Sequence, residues 1–182
     1  MHRRPLLEKL ADYVPTDAAE RDSHERMRAF VESHADCFER SLAVGHITGS
    51  AWIVDPARTK ALLTHHRKLD MWLQLGGHAD GEADVVAVAM REAREESGLA
   101  SLEIVSDRIF DIDVHEIPAR GEEPEHFHYD VRFLLRADPA EPVVVSDESH
   151  DVAWIELDQV VNLATDASVL RMVAKTRDGA GR

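Results

Sequence analysis

Glu92, Glu95 and Glu96, with Arg91 beside them, stand at spacings that place all three carboxylates along one side of a helix. At about 100° per residue, Val85, Val88 and Ala89 share one face, and the glutamates continue that stripe toward the C-terminal end. Such a stripe ordinarily packs against a core, so carboxylates stand where apolar side chains belong. Like charges at these spacings repel by about 0.2–0.5 kcal/mol per exposed pair, and the helix dipole disfavours anions at its C-terminal end. A solvated acidic face is the plain alternative, but it needs no such placement. Grouped hard oxygen donors suit Mg²⁺ or Mn²⁺, which would also relieve the repulsion.

The elements that must hold this helix follow from the chain's pattern. Residues 1–40 read as helical, with Asp17 and Glu20 as a helix start and Met27, Phe30 and Val31 on one stripe. Extended segments are expected at His46–Asp55, Ala61–Thr64 and Met71–Leu75, the last ended by a Gly76-Gly77 loop. The acidic helix spans Asp84–Ser97 and stops at Gly98. Leu102–Ile117 reads as one strand, the period-two run from His126 to Phe133 as another, and Val152–Leu157 as the last before a helix over Asp166–Lys175. Strands interleaved with few helices predict an α/β fold, a sandwich around a mixed sheet. The expected division is an N-terminal helical extension over 1–41, a main domain over 42–176 and a frayed tail over 177–182.

Composition narrows the partners. With 21 Lys+Arg against 35 Asp+Glu, the chain carries a net charge of −14. That surface repels nucleic-acid backbone and anionic lipid, so neither a polymeric nucleic acid nor a membrane is an expected partner. A small anionic substrate remains open if cations offset the repulsion. The single cysteine, Cys37, cannot form an internal disulfide, and no apolar run reads as a signal peptide or a spanning helix. A cytoplasmic location follows as an expectation.

The order strand, double glycine, acidic helix resembles the Nudix box, Gly-x5-Glu-x7-Arg-Glu-U-x-Glu-Glu-x-Gly-U with U a bulky aliphatic. Gly77, Arg91, Glu92, Glu95, Glu96, Gly98 and Leu99 match it at the right spacings. Ala83 replaces the early glutamate, with Glu82 and Asp84 on either side; Ala93 stands where a larger aliphatic is usual; Leu75 replaces the proline that often precedes the glycines. The resemblance implies an α/β/α sandwich and hydrolysis of a nucleoside diphosphate linked to another moiety, by water attack on phosphorus. It also implies that Glu92, Glu95 and Glu96 bind Mg²⁺ or Mn²⁺ with the Gly76 carbonyl, while Arg91 orients the glutamates. Glu148 lies six residues before Trp154, a spacing at which some members carry a metal ligand or base; an acidic surface loop is the other reading.

Other residues are weighed against blander roles. His126, His128 and Asp130 share a strand face that could line a substrate cleft or be a plain polar face. They could in principle hold Zn²⁺, but no fourth ligand is evident nearby, so no stoichiometric zinc is expected. His65, His66, Arg67 and Lys68 form a basic cluster that could meet substrate phosphate, Arg67 above all, or simply be solvated. His78 is near the site by proximity to the glycines. Cys37, Trp52, Trp72 and Trp154 read as structural. The leading reading is a metal-dependent pyrophosphohydrolase. The alternative is a non-catalytic Nudix-like ligand-sensing module, which loss of the glutamates would favour. An isomerase of the isopentenyl-diphosphate type would need a catalytic cysteine by the sheet, and Cys37 lies in the N-terminal helical region. The N-terminal helices offer a surface for a homodimer.

Overall fold

The computed structural model describes residues 2–121, 124–146 and 149–179. Its organising strand is β1 (Gly45–Val54), buried along its full length. One edge of β1 pairs in parallel with β7 (His126–Arg136). The other edge is shared. Its first half takes β4 (Leu75–His78), and its end takes β2 (Lys60–His66). β2 then leaves β1 and continues between β3 (Met71–Leu73) and β8 (Ser149–Glu156). The mixed sheet therefore splays where the chain passes Gln74 from β3 to β4. On the far side of β7 lie β6 (Asp111–Ile117) and the short β5 (Glu103–Ile104). The single strand expected over Leu102–Ile117 is thus two. The break is a turn in which the Ser106 hydroxyl accepts the Arg108 N–H and Asp107 is held by Lys9.

Side chains alternate across the sheet. Ile47, Ala51, Ile53, Val131 and Phe133 face the larger core, under α1 (Arg4–Asp12), α2 (Ala18–Ser33) and α3 (Val85–Ser97). Trp52, Val54 and Leu134 face the other way and pack on α4 (Ala167–Arg177), where Trp52 Nε1 donates to Thr176 Oγ1 at 2.8 Å. The result is the expected α/β/α sandwich. Asp17, Asp84 and Asp166 cap α2, α3 and α4 with their carboxylates, and Gly98 ends α3 at φ 71°. The N-terminal helices are built into the core: Leu6, Leu10, Met27 and Val31 are buried, and Phe30 stacks on Tyr129 with ring centroids 3.9 Å apart.

Glu20, which the sequence places in a helix-start motif, turns inward instead. Its carboxylate is fully buried and accepts from Thr16, Tyr13 and Lys175. Lys175 also reaches Asp111 at 2.8 Å, Arg171 pairs with Asp111 at 2.9 Å, and Arg132 joins Asp111 to Asp130. A chain of buried charges thus links α2, α4, β6 and β7. Burial alone would raise the Glu20 pKa, but the bonds from Lys175, Thr16 and Tyr13 outweigh it and bring it from 4.5 down to about 2. The ionised form is therefore favoured in the folded state. Its stabilisation is complete above about pH 4.5 and is lost as pH falls through about 2. Urea unfolding should show wild type losing more stability across that window than Glu20→Gln does. Equal pH slopes in the two proteins would remove Glu20 from the account.

Candidate active site

Gly76 and Gly77 do not form a loop. Both are extended residues of β4, paired with Ser50 and Gly49 of β1, and neither has a positive φ. What the position requires is the absence of a side chain on both faces. A Cβ at Gly77 would lie 2.4 Å from Glu92 Oε2, and one at Gly76 would lie 2.1 Å from Ser50 Oγ and 2.7 Å from Ser50 Cα. α3 can press its carboxylates onto the backbone of β4 only because the strand is bare there.

The glutamates divide around this strand. Glu96 Oε2 accepts the Gly76 N–H at 3.1 Å. Glu92 lies against Gly77 and takes a 2.5 Å bond from Arg91, whose other nitrogen donates to the His78 carbonyl at 2.9 Å. Glu95 is largely exposed, 3.6 Å from Arg91. The buried residues of α3 are Val85, Val88, Ala89, Ala93 and Ser97, so Glu92, one turn after Val88, sits at the edge of the stripe and Glu95 outside it. Small Ala93 and Ser97 let the helix lie close to the sheet, which accounts for the short side chain at Ala93. Burial pushes the Glu92 carboxyl up; Arg91 offsets part of this and the Glu95 charge adds to it. The residues flanking Ala83 do not replace the early glutamate. Asp84 caps α3 and Glu82 accepts the Asp84 N–H, while Ala83 packs against the core.

The β7 residues lie on the opposite face of the sheet from α3. Asp130 is buried and accepts from Thr48, Ser50, Gln74 and Arg132 at 2.7–3.0 Å. Its lone pairs are taken within the fold, where it ties the splay at Gln74 to β1 and β7. β7 is a central strand, between β1 and β6, and on its polar face His126 and Asp130 are buried while His128 is half-buried. His126 and His128 meet His46 and His115, which the sequence reading left out of the site, and His78, which it placed near the site only by proximity. The repeated Gly-His at Gly45-His46 and Gly77-His78 is the sequence signal that could have found two of them. Burial, with the neighbouring imidazoles, lowers His46 to about 4 and His128 to about 2, so both are neutral at pH 7.

Arg67 lies in the exposed turn after β2 and donates to the Ser149 carbonyl at 3.0 Å, at the start of β8. Glu148, like Asp147, lies outside the described residues. Trp72 is half-buried and stacks on His65 at 5.0 Å, with His150 5.3 Å from His65. Cys37 is buried, which pushes its thiol up to about 11 and leaves it no thiolate for catalysis.

A family model described as the NUDIX domain matches residues 46–175, from β1 through α4. The chain belongs to the NUDIX domain family. No curated protein gives a significant match. Among solved structures, a C. elegans Ap4A hydrolase in binary complex resembles it with a TM-score of 0.58 at 20% identity, covering 72% of this chain and 95% of that one. A MutT NUDIX hydrolase from Burkholderia pseudomallei gives 0.56 at 23% identity, covering 70% and 95%. A NUDIX family hydrolase from Clostridium perfringens gives 0.53 at 21% identity, covering 73% and 96%. At these identities the likeness is one of fold. The NUDIX match leaves out α1 and α2, although both helices are packed into the same core. Among the described residues, no helix is long and apolar enough to cross a membrane.

Proposed function

We propose that this NUDIX protein is a divalent-metal-dependent hydrolase that cleaves a phosphoanhydride bond of a nucleoside diphosphate linked to another moiety. The observation that carries this reading is the approach of Glu92 and Glu96 to a strand stripped of side chains at Gly76 and Gly77. The donor set fits a hard cation: carboxylates of Glu92 and Glu96, the Gly76 carbonyl, and Glu95 swung in from its exposed position. Mg²⁺ or Mn²⁺ bound there would neutralise phosphate charge and lower the pKa of a bound water.

The chain's own groups do the rest. Arg91, bonded to Glu92 and the His78 carbonyl, fixes the carboxylate against β4. Arg67 stands at the sheet's splayed end as a cation for substrate phosphate. His126 and His128 lie on the other face of the sheet as substrate contacts, with His128 against His78 of β4, and Asp130 supports them by bonding Thr48 and Ser50 of β1. Glu148 is the proposed base for the attacking water. A carboxylate suffices for this when the water is already acidified. Glu148→Gln should lower kcat by about 10²–10⁴-fold, whereas His150→Ala should be mild. Near-full activity in Glu148→Gln would move the base to Glu92. A buried, unpaired Cys37 supports a reducing, cytoplasmic setting.

The test is a screen of nucleoside diphosphate derivatives with Mg²⁺ and Mn²⁺, reading phosphate or nucleotide release. Hydrolysis of at least one derivative, abolished by a chelator, is the expected result. No turnover across the set would favour the non-catalytic ligand-binding reading.

A further inference from the structure

On the face of the sheet opposite α3, and at the end away from α4, histidines from neighbouring strands line up. His128 of β7 is the direct cross-strand partner of both His46 of β1 and His115 of β6. His126 precedes His128 by two residues on the same face, and His78 of β4 closes the group. The rings of His46, His78 and His128 stand 4.9, 4.9 and 5.0 Å apart, centroid to centroid, and one ligating nitrogen from each lies within 4.8 Å of the other two.

His46 is 2% exposed, and neither of its ring nitrogens has a hydrogen-bond partner among the described residues; the buried Nε2 atoms of His126 and His128 have none either. Buried polar atoms left this way cost stability, so their concentration at one point calls for something they bind. The surrounding bonds orient the rings. His126 Nδ1–H donates to the Pro124 carbonyl at 2.9 Å, which leaves the Nε2 lone pair facing the cluster, and His115 Nδ1 meets Asp113 at 3.2 Å. Ligand histidines are commonly held by such carbonyl and carboxylate partners.

We propose that His46, His78 and His128 form a zinc site, separate from the carboxylates of α3, that ties β1, β4 and β7 together. Zn–N bonds of about 2.1 Å in tetrahedral geometry put imidazole centroids about 5 Å apart, the spacing these rings already have. Neutral imidazoles suit Zn²⁺ and are poor ligands for Mg²⁺. His126 Nε2 or a water completes the shell. Asp130, the ligand the strand's own pattern suggested, is not one of them, since its oxygens are occupied by four donors. The expectation of no zinc on this strand looked for a fourth ligand nearby in sequence; the partners come instead from two other strands. Because Arg91 holds the His78 carbonyl, the site also steadies the strand carrying the double glycine. The proposal stands whether or not the protein hydrolyses phosphoanhydrides.

Metal analysis of the protein purified without added metal or chelator tests it, together with Co²⁺ titration of the zinc-stripped protein. The expected result is about one zinc per chain and the visible absorption of tetrahedral Co²⁺. Both should be retained in Glu96→Gln and lost in His46→Gln and His128→Gln. His78→Gln, at a half-buried position, serves if His46→Gln or His128→Gln fails to fold, and should lose the metal with its circular dichroism intact. Wild type with neither zinc nor the Co²⁺ spectrum overturns the site. Metal kept by the histidine variants, or lost in Glu96→Gln, overturns it as well.

Discussion

Gly77→Ala is expected to lose about 10²-fold or more in turnover while melting close to wild type, and Gly76→Ala to lose much of the fold. The two substitutions add the same methyl group to adjacent residues of one strand, and only the neighbours differ. At Gly77 the new Cβ meets the Glu92 carboxylate at 2.4 Å. That is the end of a flexible side chain, which can swing away at little cost in stability but takes a proposed metal ligand out of position. At Gly76 the Cβ meets Ser50 Cβ at 2.6 Å and Ser50 Cα at 2.7 Å. Backbone cannot swing away, so β4 must part from β1. Paired thermal melts and kcat measurements separate the two cases. A Gly77→Ala protein with wild-type kcat would show that Glu92 need not lie against β4.

Arg132→Leu is the substitution expected to cost most stability, roughly 3–5 kcal/mol. Arg132 is 1% exposed and lies 2.7 Å from Asp130, 3.1 Å from Asp111 and 3.8 Å from Asp113. Leucine would leave those carboxylates without their shared cation in the interior. In a chain of this size the loss lowers Tm by roughly 6–20 °C. Arg136→Leu, on the same strand, is the control. Its 2.7 Å pair with Glu103 is more than half exposed on both sides, so solvent screens it and its loss should cost at most about 1 kcal/mol. Asp130 also holds Ser50, the residue packed on Gly76, so Arg132→Leu should lower turnover too. Equal stability of the two variants would mean the interior charges are not coupled as their geometry indicates.

The candidate site proposed on α3 was legible in the sequence because it is local. Arg91, Glu92, Glu95 and Glu96 lie within two turns, bounded by a cap and a stop, and a helix of that register needs only something to face. The role of the double glycine was not legible. A glycine kept for lack of a Cβ looks the same as one kept for a turn until Ser50 and Glu92 are placed against it. Glu20 shows the same limit. Its spacing from Asp17 suggests a capping partner, and Lys175, at the other end of the chain, joins Thr16 and Tyr13 in drawing it inside. Period two in β7 identified a strand and its faces. It could not tell that Asp130 is buried, because this depends on Thr48, Ser50, Gln74 and Arg132 closing around its carboxylate. The histidine cluster is largely non-local, with His46, His78 and His128 supplied by three different strands. By contrast, the splitting of Leu102–Ile117 had a visible signal in Ser106-Asp107, a turn-favouring pair between two segments that alternate polar and apolar residues.

Glu92→Gln should show the tension at the site directly. Burial raises this carboxyl in the folded protein, so its ionised form weakens the fold as pH rises past the ordinary carboxylate range. The amide removes that burden. The metal-free variant is expected to melt above wild type at neutral pH while turning over far more slowly. A lower melting temperature would indicate that the Arg91 bond outweighs burial.

The measurement bearing most directly on the central claim is kcat of Glu96→Gln against wild type, at saturating Mg²⁺, on a substrate found by the nucleotide screen. Glu96 reaches the backbone of Gly76 from α3, and glutamine keeps its shape while removing the charge that would hold the cation. A fall of about 10²–10³-fold with an unchanged fold is the predicted result. Turnover within a few-fold of wild type would contradict the assignment of α3 and the double glycine as the catalytic centre.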